Sequence, residues 1–252
     1  MIIRENDNEF IMIRQHDHAI ISEKIVTSFQ EEFFPEDPFR HSVLYAIKMH
    51  DYGWKNFDKE PFWNDEKNAP FSFIDFPNVV KTVLYEHGIN EVEKSDPYAG
   101  LLCSEHYSKF LSSDTTDASR AFIAREQARQ KAIRDKIDIN HDLFTVHFEL
   151  LKLADNLSLF LCLSEPDSRK EDIHYFFKNG IRIPEALRSQ LGQRLEPEWL
   201  DEHSVSYKPS PLQEAITLSI PQKRVKKESI SKYGLIKSYT ETEDEFFELR
   251  IK

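Results

Sequence analysis

The apolar positions of this chain change period along its length. Met1-Ile2-Ile3-Arg4 and Glu9 to Arg14 are short apolar-rich runs, and Glu5-Asn6-Asp7-Asn8 between them is turn chemistry, which predicts a hairpin. From His18 to Phe29 the spacing turns helical: His18, Ile21, Ile25 and Phe29 fall on one face. A second helix is expected over Arg40 to Asp51, with Val43, Leu44, Ile47 and Met49 apolar. Gly53 to Pro77 is rich in aromatic, Pro, Asn and Asp residues and reads as a long ordered loop, a feature more often functional than idle. Helices resume at Asn78 to Glu86 and Pro97 to Leu111, and Ala118 to Ile137 reads as a charged helix with one apolar stripe. Asp142 to Leu163 is apolar on nearly every face, the mark of a central buried helix.

After Pro166 the period shortens. Ser204 to Tyr207, Ala215 to Ile220, Leu235 to Tyr239 and Glu245 to Ile251 read as strands, the last two forming a hairpin across Thr240 to Asp244. Isolated two-stranded hairpins are marginal in water, so the N-terminal hairpin and the C-terminal strands are expected to share one mainly antiparallel sheet. The predicted architecture is mainly α: a single helical domain over residues 1–252. Strand-rich terminal segments, 1–14 and 204–252, add a small sheet, α+β overall.

Composition narrows the chemistry. The chain has 252 residues, 40% hydrophobic and 31% charged, enough for a substantial core. A net charge of -11 makes it a poor phosphate-backbone binder, so nucleic acid is not an expected partner, and Lys223-Arg224-Val225-Lys226-Lys227 reads as solvated surface. No apolar run reaches the roughly 18 residues of a membrane span. The charges in MIIRENDNEF interrupt any signal-peptide core, and Cys103 and Cys162 form no CxxC pair; a cytoplasmic location is the expectation. Only six glycines are present, none spaced as GxGxxG or a P-loop, so phosphate chemistry would need side chains or metals.

Three places stand out. His18 lies on the apolar face of its helix, His50-Asp51 ends the next, and Asp155 interrupts the most hydrophobic helix in Leu-Leu-Lys-Leu-Ala-Asp-Asn-Leu-Ser. A lone carboxylate there costs several kcal/mol unless paired, protonated or metal-bound. Imidazole and carboxylate suit divalent transition metals, and one metal would account for all four residues. The bland readings are a satisfied core histidine at His18, a helix end at Asp51 and an Arg or Lys partner for Asp155. His16 and His41 read as surface residues. His147 is a less favoured neighbour of Asp155, two turns away. The aromatic run Trp54, Phe57, Phe62, Trp63, Phe71, Phe73 and Phe76 is either satellite core or a pocket wall.

The spacing of His18, His50-Asp51 and the distant Asp155 resembles the HD-domain metal-dependent phosphohydrolase superfamily. More narrowly, Gln15-His16-Asp17-His18-Ala19, His50-Asp51-Tyr52-Gly53-Trp54, Asp96-Pro97-Tyr98-Ala99, Glu105-His106-Tyr107 and Asp155-Asn156-Leu157-Ser158-Leu159 resemble an uncharacterised bacterial domain-of-unknown-function family. The HD resemblance implies an HD-like bundle with His18, His50, Asp51 and Asp155 around a divalent ion (Mn, Fe, Co, Ni or Zn). His106 is then a ligand for a second ion, a general acid or a substrate contact. Two-metal HD members supply more intervening histidines, and His87 is the one other candidate between His50 and His106. The expected function is hydrolysis of a phosphate ester on a small-molecule substrate, with His106 catalytic and Trp54 and Tyr107 binding substrate. The competing expectations are a non-catalytic binding or structural protein and a di-iron oxygenase.

Overall fold

The computed structural model describes residues 1–252. Strands β1 (Ile2–Glu5) and β2 (Glu9–Ile13) form the N-terminal hairpin and run directly into helix α1 (Gln15–Thr27). Helix α2 (Arg40–Met49) precedes two 3-10 turns, Tyr52–Trp54 and Phe57–Lys59, and a short ribbon of β3 (Trp63–Asn64) and β4 (Ala69–Pro70). The helical part closes with α3 (Asn78–Ser95), α4 (Pro97–Leu111), α5 (Asp117–Arg134) and α6 (His141–Leu163). Beyond it come β5 (Ile181–Arg182), the one-turn α7 (Arg188–Leu191), β6 (Arg194–Asp201), β7 (Ser204–Lys208) and β8 (Ile216–Lys226). Helices α8 (Lys227–Tyr233) and α9 (Leu235–Glu241) then lead to β9 (Glu245–Ile251).

Helices α4 and α6 start with side-chain caps. Asp96 accepts from the Ala99 amide ahead of Pro97, and Asn140 accepts from the Leu143 amide at the head of α6, satisfying amides with no partner inside the helix. Helix α6 is the central buried rod, with α1, α2 and α4 packed around it. Its side chains join a hydrophobic core of 53 buried residues that continues into the sheet through Val205, Tyr207, Leu218, Ile220, Leu249 and Ile251.

The expectation of a mainly helical, HD-like bundle with a small sheet is overturned. Seven strands in the order β1-β2-β8-β9-β7-β6-β5 form one large, curled mixed sheet, and the fold is α/β. All neighbours are antiparallel except β7 and β9, which run parallel at Ser204↔Arg250 and Val205↔Ile251. Two features hid the sheet. Strand β6 buries Leu195, Pro197 and Trp199 in alternation, but its central proline reads as a breaker. It is tolerated because β5 pairs only with Arg194 and Leu195. Strand β8 is twice the expected length: Ile216 to Gln222 pair with β9, and Lys223 to Lys226 pair with β2. Its buried side shifts phase where the partner changes, from Leu218, Ile220 and Gln222 to Val225, so no single alternation spans it. Within the basic run, Arg224 pairs with Glu9, Lys227 with Glu5, and Lys223 donates to the Tyr239 and Thr242 carbonyls.

Leu235–Tyr239 is helix α9 rather than a strand, and β9 pairs with β8 and β7 rather than with that segment. Leu235 and Tyr239, four apart, face one way as a helix requires. They bury against Met1, Phe10, Met12, Val225 and Ile230 in a separate small cluster. Gly234, at φ +80°, breaks α8 from α9 in a conformation that other residues rarely adopt.

Helix α3 also outruns expectation, continuing through Gly88 to Ser95. Gly88 normally weakens a helix, but here it permits contact. A Cβ on Gly88 would lie 2.8 Å from the Gly53 nitrogen, and one on Gly53 would lie 2.2 Å from the Leu84 carbonyl oxygen. The two glycines thus clasp the turn that follows His50-Asp51 onto α3.

Candidate metal centre

Four segments bring their polar residues to one buried point. Helix α1 supplies Gln15 and His18, and the end of α2 supplies His50 and Asp51. Helix α4 supplies His106 and Tyr107, and α6 supplies Asp155 and Ser158. All eight are at most 6% exposed, in a region otherwise built from Leu, Ile and Phe. His18, His50 and Asp51 place one ligand atom each within 4.8 Å of one another, and so do His50, His106 and Asp155. The four residues proposed from their spacing therefore converge, and His106 joins them.

The hydrogen bonds orient each group. Asp51 Oδ2 accepts from Gln15 Nε2 at 3.1 Å and lies 2.7 Å from His18 Nε2, while Oδ1 accepts from the Tyr107 hydroxyl at 2.6 Å. The same hydroxyl reaches the His50 carbonyl. Tyr107 stacks on Tyr85 with ring centroids 3.8 Å apart, which fixes the hydroxyl's direction. On the other ring edge, His18 Nδ1 lies 2.8 Å from Ser158 Oγ, which also contacts Ser22 Oγ and the Asp155 carbonyl. His50 Nδ1 donates to the Ile47 carbonyl at 2.6 Å, so its Nε2 is turned inward.

What is missing from this network is as informative as what it contains. His50 Nε2 and His106 Nε2 are buried and make no hydrogen bond. The first faces Asp155 Oδ1 at 3.5 Å and Asp51 Oδ2 at 3.8 Å; the second faces Asp155 Oδ2 at 3.7 Å. Leaving a buried polar atom unpaired costs roughly 1–3 kcal/mol. Two imidazole nitrogens face two carboxylates, an arrangement that a cation satisfies, whether a proton on His50 or a metal ion between the groups.

Without metal, a proton on His50 balances the two carboxylates, and a bound ion would displace it. Burial alone would lower the His50 imidazole, but the Asp51 and Asp155 carboxylates outweigh it and raise it to about 9. Burial would raise Asp51, yet His50 and the hydrogen bonds from His18 and Tyr107 hold its carboxyl well below the usual range. Asp155 is likewise lowered against its own burial, chiefly by His50. His106 goes the other way: burial pushes it down to about 4, leaving a neutral ring with a free lone pair. The donors are nitrogen and oxygen only. Cys103 and Cys162 lie elsewhere, buried, with thiols pushed up by burial.

A cavity of about 290 Å³ opens from this point, lined by Asp51, His106 and Asp155 and walled by Trp54, Phe73, Tyr85, Phe110 and Leu159. The aromatic run thus divides. Trp54 and Phe73 line the cavity, Phe57, Phe62, Phe71 and Phe76 pack on one another beside it, and Trp63 packs on Phe10. His147 is not part of the cluster; its two nitrogens are held by Tyr98 and Asp37.

A family model described as a protein of unknown function (DUF3891) matches residues 1–227. The chain belongs to this family. Among curated proteins and solved structures, no match is found. The stretch matched to DUF3891 contains every residue of the cluster and all of β1 to β8, and ends at the first residue of α8, leaving α9 and β9 beyond it. The buried His and Asp residues could hold a metal ion. No helix is long and apolar enough to cross a membrane.

Sequence reasoning missed the supports: Gln15, Ser22 and Ser158. Ser22 lies four residues from His18 and Ser158 three from Asp155, each one helical turn away and so on the same face, which is the signal that could have found them.

Proposed function

We propose that this protein is a metal-dependent hydrolase acting on a phosphate ester, with one divalent ion held by His18, His50, Asp51, His106 and Asp155. The observation that carries the reading is the pair of buried, unpartnered imidazole nitrogens, His50 Nε2 and His106 Nε2, facing Asp155. One ion is favoured over two because both ligand groups share His50, and its Nδ1 is already given to Ile47. Nitrogen and oxygen donors without thiolate suit Mn, Fe, Co, Ni or Zn. Bound there, such an ion would polarise a phosphoryl oxygen and ease deprotonation of water.

The chain's own groups have separable tasks. Gln15 and Tyr107 fix the Asp51 carboxylate, so the hydroxyl of Tyr107 positions a ligand instead of contacting substrate. Ser158 and Ser22 fix the His18 ring. Asp155 borders the cavity and offers two carboxylate oxygens, one of which would hold the ion while the other takes the proton of the attacking water. Oxygen from water bonds to phosphorus, the ester P–O bond breaks, and the leaving oxygen takes a proton from solvent at the mouth. His106 is neutral and unpartnered, which favours a ligand role over that of a general acid. Trp54 would flank the substrate.

The test is hydrolysis of p-nitrophenyl phosphate and bis-p-nitrophenyl phosphate by chelator-stripped protein with Mn, Co, Ni, Zn or Mg restored singly. Turnover that returns with at least one transition metal and is lost in Asp155→Asn is expected. Metal-loaded protein that hydrolyses neither ester, nor any other phosphoester in a panel, would refute the hydrolase reading.

A further inference from the structure

One lysine lines the cavity, and no carboxylate forms an ion pair with it. Lys81 on α3 lines the wall and is 8% exposed. Its ammonium makes a single long contact, 3.5 Å to the Ile74 carbonyl, and no carboxylate lies within ion-pair distance. The two carboxylates whose charge reaches it, Asp75 and Asp114, are already engaged. Asp75 is held by Lys67 at 2.9 Å and by Ser72, and Asp114 by Asn78 at 2.7 Å, Ser119 and the Thr116 amide. Burial accordingly pushes the ammonium down from its ordinary value. A buried charge without a partner is costly and is retained at functional sites where a ligand supplies the missing half. The rim is unusual too: Ile74, Phe110 and Phe176 border this cavity and are 37%, 54% and 42% exposed, apolar side chains in water around an opening.

We infer that Lys81 is the subsite for an anionic group, carboxylate or phosphate, on a substrate whose aromatic or apolar body lies against Phe110, Phe176 and Ile74. Lys81 makes no ion pair with Asp51 or Asp155, which line the same cavity, so its charge is free to meet an anionic group of the substrate. The inference rests on reading that cavity as the substrate site. It selects amphipathic organic anions of modest size, since the volume is at the low end of ligand pockets. Ordered charge–charge pairing in a part-buried site also rejects the neutral analogue, which leaves the ammonium unpaired.

The test is binding of 3-phenylpropionate and its neutral counterpart 3-phenylpropanol to chelator-stripped protein, by ligand-observed NMR titration. Wild type is expected to prefer the carboxylate at least tenfold. Lys81→Met should bring the two affinities within twofold, and Lys81→Arg should keep most of the preference. Lys81→Met is expected to melt no lower than wild type, because it removes an unpaired buried charge. No preference in wild type, binding of neither ligand, or a preference that survives Lys81→Met overturns the inference. Because this readout uses no metal and no turnover, a protein that fails to hydrolyse phosphoesters yet shows the Lys81-dependent preference would refute the hydrolase reading alone.

Discussion

Replacing Tyr107 with Phe removes one oxygen atom from a ring that is 1% exposed and leaves the stack on Tyr85 in place. The lost hydroxyl donates to Asp51 Oδ1 at 2.6 Å and to the His50 carbonyl. A hydrogen bond to a buried charged group contributes about 1.5–3 kcal/mol, and nothing else in the structure reaches Asp51 Oδ1 to replace it. Urea unfolding of chelator-stripped protein should therefore show a loss of that size, with an unchanged m-value. The same hydroxyl holds Asp51 in the orientation that its ligand role requires. Metal affinity, measured by competition with a chromogenic chelator, should fall about 10–100-fold, the usual cost of losing such a support. The two readouts are independent: a packing residue would move stability alone. Apo stability within about 0.5 kcal/mol of wild type, or a metal affinity within twofold, would refute the reasoning.

Gly53→Ala should destabilise the protein by about 1–3 kcal/mol and weaken metal binding as well, because its Cβ would meet the Leu84 carbonyl 2.2 Å away and displace the turn after His50-Asp51; urea unfolding and chelator competition check both. Ending the chain after Ser238 removes β9, whose Leu249 and Ile251 are buried in the main core between β8 and β7. Loss of the cooperative melt is expected by calorimetry, although no cluster residue is deleted. His106 imposes a pH dependence on the metal-free protein. Its folded value of about 4 lies below the unfolded value near 6.5, so the unfolded chain takes up its proton first. Stability from this group is present above about pH 6.5 and lost as pH falls toward 4, with a slope of up to ~1.4 kcal/mol per pH unit. Urea titrations from pH 4.5 to 7.5 on wild type and His106→Asn should diverge with that sign, and parallel curves would contradict it.

How much could be read from the chain alone depended on how local the signal was. The cluster was legible because each member breaks a strong helical pattern: His18 on an apolar face, Asp155 in a helix of Leu and Phe, His50-Asp51 at a helix end. Burial makes such departures costly, so they stand out in the sequence. The supports were harder, since Gln15 and Ser158 are common surface residues whose meaning appears only when α1 and α6 meet. The sheet was misjudged for a different reason. Pro197 masked the alternation of β6, and the partner change inside β8 shifted the phase at a run of basic residues that reads as solvated surface. Strand pairing across more than two hundred residues, as between Phe10 and Val225, leaves no local trace. Leu235 and Tyr239 fit either period over so short a segment, and burial against Met12 and Val225 selected the helix.

The central claim is that the His/Asp cluster is a metal centre, and elemental analysis of protein purified without added metal tests it most directly. Wild type should carry about one transition-metal ion per chain, with the ion lost in both His50→Ala and Asp155→Asn while the circular dichroism spectrum stays folded. Wild-type protein that is free of metal, and whose melting temperature does not rise when Mn, Fe, Co, Ni or Zn is added in excess, would contradict the account.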